Sequence, residues 1–149
     1  MFRSMLVLAL LSGAVACGGD PDEKSGGDAY RNEAQVMPLD EWVAGDLNLD
    51  DGDQTDWKAV DLESGGKFNV EFNADDPGAA VQVAVYDRFG YPLGSVARPA
   101  KAEGVVKVTV KAKRDGRYFI MIQQKSGGPT AYSVRATAGD GASVPTPDF

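Results

Sequence analysis

Between residues 46 and 56 the sequence reads DLNLDDGDQTD, which places oxygen-bearing side chains at Asp46, Asn48, Asp50, Asp51, Asp53 and Asp56. Hard carboxylate and amide oxygens at near-alternate positions are the ligand type that calcium takes. Carboxylates crowded this closely also repel one another unless a cation sits among them. The loop is not an EF-hand: counted from Asp46, the sixth position is Asp51 rather than Gly, and the twelfth is Trp57 rather than a bidentate Glu. The competing and preferred reading makes these turn residues that cap strands, with Asp53 or Asp56 accepting backbone N–H bonds. Calcium is the one cofactor the sequence admits, and otherwise none is expected.

Catalysis has little to work with. The chain contains no histidine, which removes the usual general base, the Ser-His and Cys-His dyads and the commonest zinc ligand. No G-x-S-x-G, P-loop or dinucleotide fingerprint occurs. Two carboxylates can hydrolyse a glycoside, but among 22 acidic residues some pair always falls at a suitable separation. The expectation is a protein that is not an enzyme. Trp42, Trp57, Tyr91 and Phe119 are candidates for a ligand platform, since exposed aromatic rings on a sheet hold sugars or protein partners. The alternative is that both faces of that part of the sheet are covered.

The 15 basic residues do not balance the 22 acidic ones, and the net charge is −7. Nucleic acid is not an expected partner, because neutralising phosphates takes clustered Lys and Arg. The basic patch worth naming is Lys107, Lys111, Lys113 and Arg114, of which Lys107 and Lys111 share a strand face and read as a solvated sheet surface.

These residues are positioned by strands. Phe68, Val70 and Phe72 alternate with Lys67, Asn69 and Glu71, which puts large apolar groups on one strand face and polar groups on the other. The alternation recurs in Val81-Val83-Val85, Val106-Val108-Val110, Tyr118-Ile120-Ile122 and Tyr132-Val134-Ala136, and two less regular segments, 41–49 and 56–62, precede them. Turn formers separate the runs, among them Asp51-Gly52-Asp53, Phe89-Gly90-Tyr91-Pro92 and Asp115-Gly116. No connection is long and helix-periodic enough for a βαβ crossover, so the predicted fold is all-β, an antiparallel β-sandwich of jelly-roll type with seven or eight strands. A single cysteine makes no intramolecular disulfide. Residues 18–38 and 139–149, rich in Gly, Pro and Asp, read as a flexible tether and a disordered tail around a domain at 39–138.

The cysteine has another use. Arg3, the apolar run from Met5 to Leu11 and the small residues Ala14-Val15-Ala16 lead directly to Cys17. The segment is too short to span a bilayer. It resembles the lipobox of bacterial lipoproteins, which implies cleavage after residue 16, acylation of Cys17 and a membrane partnership through lipid. Gly18 rather than Asp after the cysteine implies the outer membrane. Ala14 in place of Leu departs from the usual pattern and leaves a plain secretory signal as the rival reading.

Asp53-Gln54-Thr55-Asp56-Trp57 with the turn at Gly65-Gly66, Val85-Tyr86-Asp87 with Gly90, Gly116-Arg117-Tyr118-Phe119-Ile120, and Ala131-Tyr132-Ser133-Val134 follow one another along the chain. In this order they resemble the motifs of the bacterial pre-peptidase C-terminal (PPC) domain, and the resemblance covers residues 41–138. The resemblance implies a non-catalytic sandwich. The aromatic that usually follows the Trp is Lys58 here, expected at the rim with its ammonium in water. No ligand residues carry over. The reading is an envelope binding module with a protein or surface-assembly partner; the alternatives are a carbohydrate-binding or calcium-dependent adhesive role and a passive envelope component.

Overall fold

The computed structural model describes residues 19–63 and 65–139. The signal segment, Cys17 and the tail from residue 140 lie outside the described residues. Nine strands form two facing sheets among the described residues. One sheet orders β1 (Gln35–Val36), β3 (Thr55–Leu62), β8 (Gly116–Ser126), β5 (Ala80–Tyr86) and β6 (Pro92–Arg98) side by side. The other orders β2 (Val43–Leu47), β9 (Thr130–Ala138), β4 (Gly66–Ala74) and β7 (Val106–Ala112). Every pairing is antiparallel except the short parallel contact of β1 with β3.

The sandwich forms where period two demands it. Phe68, Val70 and Phe72 of β4 are fully buried against Val83 and Val85 of β5, Ile120 and Ile122 of β8 and Val134 of β9. Each such side chain contributes about 1.5–3 kcal/mol of gross hydrophobic stabilisation. The strands not among the seven segments named from the sequence are β1 and β6. Strand β6 is an edge strand that opens with Pro92 and contains Gly94, so its apolar alternation is thin.

The tether expectation is corrected over residues 19–38. This segment packs along β3: the N–H of Gln54 donates to the Pro21 carbonyl at 3.2 Å, that of Trp57 to Asp28 at 2.8 Å and that of Met37 to Ala59 at 2.9 Å. Ala29 and Met37 are buried, and Asp22 Oδ1 accepts from the backbone N–H groups of Gln54 and Thr55. The segment needs no apolar period, because isolated anchors and backbone bonds hold it.

Candidate functional site

Where the two sheets part, between β2 on one side and β3 on the other, a cavity of about 290 Å³ is lined by Asp28, Gln35, Gly45, Asp46, Asp53, Asp56 and Lys58 among others. Alternation along β3 turns Asp56 and Lys58 inward together with Val60 and Leu62. Tyr132 reaches them from β9 because Gly45 opposes it on β2; a Cβ at Gly45 would lie 2.4 Å from the Tyr132 ring.

Lys58 corrects the rim expectation. It is 3 % exposed, and its Nζ donates to Asp28 Oδ2 at 2.7 Å and to Gln35 Oε1 at 3.0 Å, with Asp56 Oδ2 at 3.8 Å. The N-terminal segment supplies Asp28 and Gln35, so the ordering of that segment and the burial of the ammonium are one event. The Tyr132 hydroxyl donates to Asp56 Oδ2.

Carboxylates outnumber the ammonium here, and proton affinity rises in consequence. Burial pushes Asp56 up to about 7, with Asp28 and Asp53 adding repulsion and Tyr132 and Lys58 opposing it. Burial likewise pushes Asp53 up to about 6, reinforced by Asp28, Asp22 and Asp46. Burial and the Asp56 charge both push the Tyr132 hydroxyl up. Perturbed acids in a cleft are a common mark of function, but here Lys58, Asp28, Asp56 and Tyr132 engage one another.

The six candidate calcium ligands do not converge, which corrects the calcium alternative. Asp50 is exposed, Asp51 forms an ion pair with Lys24, and Asp46, Asp53 and Asp56 line the cavity around Lys58. Among the described residues no group of three or more His, Cys, Asp or Glu side chains is arranged to hold a metal ion. Lys58 supplies the positive charge a cation would have brought. Asn48 and Asp53 close a tight turn through reciprocal backbone bonds of 2.7 and 3.0 Å, so these are turn residues. The carboxylate that accepts strand N–H groups is Asp22 rather than Asp53 or Asp56.

The aromatic candidates do not form one platform. Trp57 lies on the outer face of β3 as alternation requires, but it is only half-exposed, its ring 5.4 Å from that of Tyr86. Phe119 lies on the same face under the Arg31 guanidinium, 5.4 Å from its ring centroid. Trp42 precedes β2 of the other sheet and stacks with Arg135 at 4.6 Å. Tyr91 is 69 % exposed in the β5–β6 hairpin. Tight strand packing and the folded N-terminal segment thus separate and partly cover the group.

The structure gathers a cluster that the sequence reading divided. At the end of the sandwich marked by the β5–β6 hairpin and the β7–β8 loop that crosses between the sheets, Arg88, Phe89, Lys113, Arg114, Arg117 and Tyr118 line a cleft of about 180 Å³, with Asp87 and Asp115. In sequence Lys113 and Arg114 read as one patch with Lys107 and Lys111, whose side chains stand on the outer face of β7 opposite Glu71 and Lys67. Arg88 was missed because its nearness to Arg114 arises only in the folded sheet.

Among solved structures, the PPC domain of a collagenase from Bacillus anthracis aligns with a TM-score of 0.56 at 18% identity, covering 69% of this chain and 93% of that one. The fold is PPC-like. CorA, described as a surface-associated copper-binding protein of Methylomicrobium album BG8, aligns over 71% of this chain and 98% of its own with a TM-score of 0.54 and 10% identity. At these identities the PPC-like likeness is one of fold. No family model and no curated protein matches the sequence.

Proposed function

We propose that the chain is a non-catalytic binding module of the bacterial cell envelope, acylated at Cys17, held at the outer membrane, and engaging a protein or surface-assembly partner through the loops at the end of the sandwich opposite Gly19. One placement carries this reading. Gly19 and Asp20 lie beside Leu49, Asp50 and Gly52 at one end of the sandwich, whereas the 87–91 and 113–117 loops lie beyond Leu62 at the other end of β3. The eight residues of β3 separate the two ends by about 25 Å at about 3.3 Å per residue. With the bilayer at the Gly19 end, the 87–91 and 113–117 loops would face away from it. The mutual engagement of the inter-sheet acids supports a non-catalytic role, and the surface association of CorA agrees with an envelope setting. Its copper is not carried across, since the chain has no histidine and one cysteine.

Mass spectrometry of the membrane-fraction protein is expected to find an acylated N-terminal Cys17, with Cys17→Ser released from the membrane. A membrane-associated chain with an unmodified thiol overturns the anchor. Photo-crosslinkers at positions 89 and 91 should capture an envelope component in intact cells, and capture solely from positions 50 and 51 overturns the orientation.

A carbohydrate ligand is the second reading. It is favoured by Phe89 and Tyr91, 66 % and 69 % exposed beside the cleft.

A further inference from the structure

We propose that the cleft between the β5–β6 hairpin and the β7–β8 loop binds an acidic sugar, with Arg88, Lys113 and Arg114 holding its anionic group and Phe89 meeting the ring. This rests on the carbohydrate reading and names the class of sugar.

The first argument is charge. In a chain of net charge −7, four cations line one small cleft. Arg117 is neutralised by Asp61, which takes a two-pronged hydrogen bond from Nε and an Nη at 2.8 Å each. Arg88, Lys113 and Arg114 make no ion pair among the described residues. Of the two carboxylates in the lining, Asp87 is turned to its own loop, where Oδ1 accepts the N–H groups of Phe89 and Tyr91 at 2.9 Å. Asp87 and Asp115 together oppose three cations, which leaves one positive charge in excess, so an incoming anion meets a net positive cleft.

The second argument is preorganisation. The Asp87 hydrogen bonds and Gly90, at φ 89°, fix the β5–β6 hairpin. The β7–β8 loop is fixed by Tyr118, whose hydroxyl donates to the Arg114 carbonyl at 2.8 Å and accepts from its N–H at 3.4 Å. Backbone that is already held loses little entropy when a ligand arrives. The Arg88 guanidinium lies 4.8 Å from the Phe89 ring centroid, which positions the cation beside an exposed apolar surface.

Size decides between a sugar and a longer ligand. About 180 Å³ is below the 300–1,000 Å³ typical of pockets for drug-sized molecules. It suits one ring carrying one anionic group, with Tyr91 available to the next ring of a chain.

The test uses the full chain, titrated by nuclear magnetic resonance and calorimetry with trigalacturonate, neutral galactotriose, inorganic phosphate and decaglutamate. Trigalacturonate is expected to shift the amides of residues 87–91 and 113–117 and to bind at least tenfold more tightly than the other three probes. Raising the salt should weaken it, and Arg88→Gln with Arg114→Gln should weaken it about tenfold, without a change in melting temperature because both side chains are exposed. Phe89→Ala should weaken it several-fold. Equal binding of galactotriose overturns the acidic specificity while leaving the carbohydrate reading standing. Equal binding of phosphate or decaglutamate overturns the sugar. No response to either glycan overturns both.

Discussion

Lys58 on β3 and Asp28 on the N-terminal segment form an ion pair at 2.7 Å with both side chains almost wholly buried. Removing one partner of such a pair strands the other charge away from water. Asp28→Ala should therefore cost about 3–5 kcal/mol in urea unfolding, and replacing both residues together, Asp28→Leu with Lys58→Met, should recover most of it. A loss below about 1 kcal/mol for the single variant would mean that the pair does not hold the segment.

Stability should fall as pH rises through the range where Asp56 and Asp53 ionise. Both carboxyls have folded-state affinities above their ordinary value of 3.8, reaching about 7 and about 6. Between pH 4 and pH 7 the folded chain therefore binds more protons than the unfolded one, and the stability these two groups lend at acid pH is lost by neutrality. Asp56→Asn keeps an acceptor for Tyr132 but cannot ionise. The variant should flatten the slope between pH 5 and 7 in denaturant titrations and be the more stable protein at pH 8.

Gly45 is required by space rather than by backbone angle. Its missing side chain is the room Tyr132 occupies, so Gly45→Ala forces β2 and the ring apart. The expected cost is about 1–3 kcal/mol by thermal unfolding, and an unchanged melting temperature would show that β2 yields freely.

Arg98 ties together two loops at the end of the sandwich nearest Gly19. It is 3 % exposed and its guanidinium donates to the carbonyls of Ala79 at 2.8 Å, Ala102 at 2.9 Å and Ala74 at 3.2 Å. Arg98→Met fills the volume but leaves these acceptors without their donor, which should cost about 2–3 kcal/mol. Hydrogen exchange should quicken at residues 75–79 and 99–103 while β8 stays protected.

The interior was legible in the sequence because Phe68, Val70, Phe72 and their counterparts repeat at the period of a strand, and burial follows that period. What escaped is what depends on distant meetings. Lys58 reads as a surface lysine until Asp28, thirty residues away, is placed beside it. The segment that carries Asp28 looks like a linker by composition, and two residues of parallel pairing leave no periodic trace. The hairpin cleft draws Arg88 and Arg114 from turns that share no motif, so only the pairing of β5 with β8 brings them together.

The parallel pairing of Gln35 and Val36 with Lys58 and Ala59 also settles how this sandwich behaves in company. It masks part of the outer margin of β3, whose open N–H and C=O groups would otherwise template another chain. A protease that cuts between Asp40 and Trp42, where the chain is exposed, and lets residues 19–39 drift away would uncover that margin and strip Lys58 of Asp28 and Gln35 at once. Clipped molecules should then gather into β-rich aggregates while intact ones stay dispersed.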